Sequence, residues 1–163
     1  MVRNERNAFK LCIVLTIMFL RMASMGDAEK IAKNNVMLAM ESENLEINYE
    51  DTLKGVKELI KHSEKGFYVV AEENGEIIGQ VMVTYEWSDW RGMDIWWLQS
   101  IYVSKKWRRK GIMKMLIEKI KKMAGNNVFA LRLYVHESNG NAIEAYKKVG
   151  MKKMPYFIFS MEM

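Results

Sequence analysis

Cysteine is almost missing from this chain of 163 residues, with Cys12 standing alone. A single thiol excludes an intramolecular disulfide, a cysteine-clustered zinc site and a CxxC redox pair. Histidine is nearly as scarce: His62 and His136 are the only two, and no HExxH run exists, so no protein metal site is expected. There are no internal repeats, no Gly/Ser linker and no low-complexity tract. What remains is one domain, long enough to build its own core. The apolar run from Leu11 to Leu20 falls short of the about 20 residues that a membrane span needs.

Half of the chain is apolar, which rules out a disordered or fibrous protein. Its formal charge of +5 is unevenly placed. Residues 105–122 hold Lys105, Lys106, Arg108, Arg109, Lys110, Lys114, Lys119, Lys121 and Lys122 against Glu118 alone. Such a field suits a polyanionic small molecule, a nucleic acid or a membrane surface, and equally a solvated helix face. No aromatic-and-glycine RNA-recognition motif accompanies it, which argues against nucleic acid. At the N-terminus, a basic start, the run 11–20 and the small residues Ala23 and Ser24 have the form of a signal peptide. The competing reading makes 17–23 the first strand and 1–16 an extension. It is preferred because Asp27 then caps a helix and the fold keeps its edge, which sets the domain at 17–163 in a cytoplasmic protein.

Periodicity orders the rest. After Asp27, Ile31, Val36, Met37 and Met40 form a helical stripe over about 28–41. A second helix over 49–62 carries Leu53, Val56, Leu59 and Ile60 on one side. Asn74-Gly75 between two β-rich runs predicts a hairpin with strands at 67–73 and 76–85. Residues 86–94, dense in tryptophan and acid, read as a loop, and 95–103 as a strand. A helix over 110–124 buries Ile112, Leu116, Ile120 and Met123. A strand over 128–135 and a helix over 141–149, closed by Gly150, follow. MKKMPYFIFS supplies a last strand, placed at a sheet edge or bulge by Pro155. Strands 95–103 and 128–135, joined by a helix, are expected as parallel neighbours in a mixed sheet.

Residues 101–114, IYVSKKWRRKGIMK, are the most informative stretch. A strand ends, a basic turn follows, and Gly111 stands at the mouth of a helix. Free backbone N–H groups there suit a phosphate, and Arg108, Arg109 and Lys110 add positive charge at the same place. A phosphate-bearing cofactor is the ligand this predicts.

Two separated motifs give the chain its resemblance to the Gcn5-related N-acetyltransferases. Arg108, Arg109, Lys110, Gly111, Ile112 and Met113 fall on the signature Arg/Gln-x-x-Gly-x-Gly/Ala, with Met113 where a small residue is usual. Asn139, Ala142, Tyr146, Gly150 and Met151 fall on Asn-x-x-Ala-x-x-x-Tyr-x-x-x-Gly-Phe, with Met151 for phenylalanine. The resemblance covers residues 17 to about 160. It implies an α/β fold: a mixed, mostly antiparallel central sheet with a splayed parallel pair and helices on both faces, the acyl-CoA N-acyltransferase fold. It also implies acetyl-CoA as cofactor, its pantetheine arm along the backbone of Ile101, Tyr102 and Val103. The diphosphate would sit on Arg108, Arg109, Lys110, Gly111, Ile112 and Met113, with Asn139, Ala142 and Tyr146 beside the cofactor; Asn139 also caps its helix.

Acyl transfer from a thioester to an amine needs a neutral amine, stabilisation of charge on the carbonyl oxygen and a proton for the leaving thiolate. Tyr146 is assigned the last role, since a phenol is protonated at neutral pH. The N–H near Ile101 is the expected oxyanion donor. Glu86 is the candidate base, acting through water, with Asp89, Asp94 and Glu137 as alternatives for that role or for holding a cationic amine. Trp87 and Trp90 form a lid or wall over the acceptor, or else a homodimer contact. Trp96 and Trp97 point to opposite faces, so at most one lines a pocket. The resulting expectation is direct transfer of acetyl to the primary amine of a small molecule in a ternary complex, with no nucleic-acid or membrane partner. The alternatives are a protein or peptide N-acetyltransferase and a non-enzymatic, basic nucleic-acid-binding protein.

Overall fold

A computed structural model describes residues 18–163. The expected extension 1–16 with Cys12, and Ile17 at the start of the domain, lie outside the described residues. Nine principal elements follow in order: β1 (Met18–Met22), α1 (Ala28–Glu43), α2 (Tyr49–Lys61), β2 (Gly66–Glu73), β3 (Glu76–Ser88), β4 (Met93–Val103), α3 (Ile112–Ala124), β5 (Val128–Arg132) and α4 (Gly140–Lys148). The strands form one sheet in the order β1-β2-β3-β4-β5. The first three pairings are antiparallel and β4–β5 is parallel. This is the mixed sheet, with its single parallel pair, that the resemblance implied.

Side-chain alternation along the strands sorts the core into two layers. On one face α1 and α2 cover Tyr68, Val70 and Ile77 with Ile31, Ala32 and Val56. On the other, Leu116, Ile117 and Ile120 of α3 pack on Val69, Ala71, Ile78, Val81, Val83 and Leu98, and Tyr146 of α4 and Val149 just after it join that layer. Ile117 is buried in α3, whereas Met123 remains exposed. Gly79 of β3 gives α3 its seat: a Cβ there would lie 2.9 Å from Cγ2 of Ile112. Fully buried Gln80 ties the other face together, accepting from Asn34 Nδ2 and donating to Asn35 Oδ1, both at 2.8 Å. A buried amide with both ends satisfied fixes a helix against a sheet without the cost of an unpaired polar group.

The structure corrects several sequence expectations. The β3–β4 hairpin is longer than predicted: residues 86–88 and 93–94 belong to its strands, because the tryptophans and acids there pair across the ladder as readily as aliphatics. β5 stops at Arg132 rather than 135. The strand expected over MKKMPYFIFS does not form; residues 151–163 have no regular structure and stand exposed after Met151. Apolar alternation marks a segment fit for a sheet, but a strand exists only where a neighbour accepts its backbone bonds. Asp27 does not cap α1 through its side chain. Its carboxylate turns back to accept from the N–H and hydroxyl of Ser24 and from Arg21. The Arg21 hydrogen bond, above all, holds Asp27 down at about 2.

Candidate active site

β4 decides where a ligand fits. Its pairing with β5 ends at Trp97↔Arg132, so Leu98–Val103 have no neighbour on that side. Within this stretch Ser100 takes a left-handed φ of 48°. The register steps from Met82↔Gln99 to Gln80↔Tyr102, so Ser100 and Ile101 together oppose Val81, a β-bulge. The bulge and the missing neighbour leave an open groove at the end of β4.

The loop into α3 supplies the second wall. Arg109 and Gly111 are both left-handed, at φ 63° and 83°, with Lys110 between them. Such alternation of hand gathers successive N–H groups into an anion-binding concavity, and it lies at a helix N-terminus whose dipole favours negative charge. Among the described residues the amides of 109–114 have no backbone partner, and the first bond into the helix is Met115 N–H to the Gly111 carbonyl. Nothing lies within 4 Å of where a Cβ of Gly111 would be. Met113, the departure from the signature, rests partly against the core and leaves its amide in this row.

The third wall is α4. Asn139 Oδ1 accepts from Ala142 N–H at 3.2 Å, the expected cap. At the other end Met151 N–H bonds to the Tyr146 carbonyl and Gly150 N–H to that of Lys147, the crossed pair of a Schellman motif with Gly150 left-handed. Between these caps Tyr146 is largely buried, and burial raises its phenol above the usual value. The phenol is therefore held in its protonated form.

These walls enclose a cleft of about 1110 Å³ whose lining includes Ile101–Val103, Arg108, Arg109, Gly111, Ile112, Met113, Asn139, Ala142 and Tyr146. The residues assigned to the cofactor are thus brought together. Lys110 is the exception, with its ammonium 4.4 Å from the centre of the Trp107 ring. Leu38, Glu41 and Ser42 of α1 also line it. Glu41 had no signal in the sequence. Burial opposes its ionisation, but its bond to Arg108 and the charges of Arg108 and Lys105 prevail and keep its carboxyl below the usual range. Arg108 also donates from Nε to the Val103 carbonyl at 2.8 Å, so that carbonyl is already engaged.

Next along β4, on the face covered by α1 and α2, lies a polar ledge. Tyr134 hydroxyl donates to Gln99 Oε1 at 3.1 Å, and Gln99 Nε2 to Thr84 Oγ1 at 2.6 Å. Trp97 donates from its indole to Glu86, whose other oxygen meets Arg132 at 3.4 Å. The Trp97 and Tyr134 rings lie 5.8 Å apart, while Trp96 points the other way to pack on Phe67 at 5.4 Å. With strands rising about 3.3 Å per residue, Trp97 stands roughly 13 Å from Ile101 along β4. Glu86 thus stands back from the bulge, bonded to Trp97 and Arg132. Asp89 and Trp90 sit in the hairpin turn, roughly 30 Å from Val103 by the same rise. Trp87 and Trp90 are 65% and 93% exposed and are not among the residues that line the cleft. Asp94 lies opposite Trp87 in the hairpin, and Glu137 is exposed in the loop before α4. Thr84, Gln99, Arg132 and Tyr134 escaped sequence reading because each is an ordinary residue of its own segment until β3, β4, β5 and the chain just after β5 align them.

A family model described as acetyltransferase (GNAT) family matches residues 34–151, from α1 through the Schellman turn. The chain belongs to that family. The GNAT chain resembles the crystal structure of a possible acetyltransferase from Clostridium difficile 630, with 39% identity, coverage of 90% of this chain and 98% of that one, and a TM-score of 0.84. A predicted acetyltransferase from Clostridium acetobutylicum, solved with acetyl-CoA, shares the fold at 16% identity, with coverage of 89% and 96% and a TM-score of 0.74. A bovine (Bos taurus) thialysine N-epsilon-acetyltransferase is 30% identical over 79 residues, 48% of this chain and 46% of that protein. The chain thus matches about half the length of this curated relative.

Proposed function

We propose that this GNAT protein transfers the acetyl group of acetyl-CoA to the primary amine of a small molecule, both bound at once, without an acyl-enzyme. One observation carries the reading: the unpartnered amides around Gly111 and the buried phenol of Tyr146 line the same cleft, beside the unpaired end of β4. Amides of 109–113 and the Arg109 side chain would hold the diphosphate, and the free edge of β4 at Ile101 the pantetheine. When bound, acetyl-CoA supplies an activated thioester carbonyl. The bulge at Ser100–Ile101 offers a backbone N–H to the carbonyl oxygen as charge grows on it. Tyr146, kept protonated by burial, would give a proton to the departing sulfur and recover one that the acetylated nitrogen releases through solvent in the cleft. The ledge of Thr84, Glu86, Trp97 and Gln99 receives the acceptor, with the Glu86 carboxylate as the anchor for a cationic group. The bovine relative, whose name gives an amino-acid-sized acceptor, supports a small amine.

A second reading, a peptide acceptor, is favoured by the exposure of Trp87 and Trp90 at the hairpin tip, where a longer chain would run. Calorimetry with acetyl-CoA, followed by thiol release with a panel of diamines, amino acids including thialysine, and lysine-bearing peptides, tests both. Micromolar acetyl-CoA binding with turnover on small amines is the expected result. Turnover confined to peptides replaces it with the second reading, and absence of acetyl-CoA binding removes both.

A further inference from the structure

Two arginines of the sheet lie at nearly the same depth and are used differently. The side chains of Arg21 in β1 and Arg132 in β5 are 37% and 34% exposed. Arg21 donates from Nε, Nη1 and Nη2 to Glu72 and Asp27, at 2.7–2.9 Å, and also to the Met22 carbonyl. Among the described residues Arg132 makes one such bond, from Nη1 to Glu86 Oε1, and it is long at 3.4 Å. Its other donors are left over, although a guanidinium fork matches a carboxylate with two parallel bonds.

The position of this arginine gives the surplus a use. Arg132 stands in register with Trp97, and Trp97 with Thr84 of β3. Glu86 has one oxygen on the Trp97 indole and the other toward Arg132. A cation and an anion therefore lie side by side at the end of the ledge away from the bulge. The Trp97 and Tyr134 rings, 5.8 Å apart, give an apolar floor beside them. A group that bears an ammonium and a carboxylate on one carbon meets both charges there, the first on Glu86 and the second on Arg132.

From this we infer that Arg132 selects the acceptor: it binds the carboxylate of an amino acid whose side-chain amine is the one acetylated. The inference rests on the acetyl-transfer reading above. The roughly 13 Å of strand between Trp97 and Ile101 decides which amine reacts. The α-amine shares a carbon with the carboxylate and stays beside Glu86, far from a thioester at the bulge. An amine on an arm of lysine length, laid along Trp97 and Tyr134, reaches it. That nitrogen bonds to the thioester carbonyl carbon, the carbon–sulfur bond breaks, the sulfur gains a proton and the nitrogen loses one. A diamine without a carboxylate leaves Arg132 unmatched and sets a second cation beside it, which is discrimination by repulsion.

Lysine, lysine amide and cadaverine separate these terms, with thiol release as the rate and mass spectrometry of the product as the position of the acetyl group. Lysine should exceed the other two in kcat/KM by at least about 10-fold, the range for a hydrogen bond to a charged group, and should carry acetyl on its side-chain nitrogen. Arg132→Gln should bring the three rates together, and Arg132→Glu should invert the order in favour of cadaverine. Acetyl-CoA affinity measured on each variant reports whether it has folded, and a merely structural arginine would not change the order of substrates. Cadaverine or lysine amide turned over as well as lysine by the wild type overturns the inference and leaves acetyl transfer to a small amine standing. Acetylation at the α-nitrogen, an order unchanged in a folded Arg132 variant, or no turnover of lysine overturns it too. Loss of acetyl-CoA binding by the wild type removes the underlying reading as well.

Discussion

Strands β1 to β3 and the second half of β4 differ in what their backbone and polar groups are bonded to. β2 and β3 are paired on both sides, helices cover both of their faces, and even fully buried Gln80 has both ends of its amide engaged. Beyond Trp97, β4 loses its partner on one side, Ser100 adopts a left-handed conformation, and the loop into α3 leaves a row of amides free. α4 beside it has no fully buried residue. The first region spends its interactions on folding. The second leaves them for a ligand, so changes in the two should be read out by different instruments.

The sharpest way to break this division is Gly111→Val. A β-branched side chain at a left-handed position over the amide row should raise the dissociation constant of acetyl-CoA about 100-fold, roughly 2.7 kcal/mol. The accompanying loss of stability should be about 1–2 kcal/mol from the backbone conformation. Calorimetry and thermal melts measure the two separately, and an unchanged affinity would detach the amide row from the cofactor. Tyr146→Phe comes next: kcat should fall about 100-fold, the range for a positioned general acid, while acetyl-CoA affinity stays within twofold. With burial holding the phenol above 10, the wild-type rate should show no alkaline decline from this group below that pH. Full turnover in the variant would leave Tyr146 a packing residue.

On the folding side, Asp27→Asn should cost on the order of 1–2 kcal/mol at neutral pH. The folded carboxyl, at about 2, lies below its ordinary 3.8. Its contribution is therefore complete above 3.8 and is lost as pH falls through that value toward 2. Melting temperatures of variant and wild type should converge near pH 2, with cofactor affinity at neutral pH unaltered; a constant gap across pH would place the effect elsewhere than in ionisation. The smallest change belongs to Asn139→Ala, which removes a helix cap worth about 1 kcal/mol. It should lower stability by that amount and leave kcat within a few-fold, and a collapse in kcat would make Asn139 part of the chemistry.

Elements whose signal is local were legible in the sequence. Asn74-Gly75 forms the two-residue hairpin, both positions left-handed. The periodic stripes gave α1 to α3 within a few residues, and the two motifs gave the cleft because a helix N-terminus and a capped helix are local objects. What was not legible depends on partners distant in sequence. Glu41 meets Arg108 from 67 residues away, and Asn34 meets Gln80 from 46; each is an unremarkable polar residue within its own element. The strand expected over MKKMPYFIFS failed for the same reason, since pattern supplies one half of a ladder and topology the other. The hairpin that carries Trp87 and Trp90 runs longer than its local pattern predicts, because cross-strand pairing extends it.

The absence of a side chain at Gly79 has a consequence for energetics of capture. With Ile112 Cγ2 seated directly on that strand position, the first turn of α3 is moored to the middle of the sheet. The orientation of the amides that precede it is thus settled when the protein folds, not when a diphosphate arrives. Entropy that a floppy loop would surrender at each encounter has already been surrendered once.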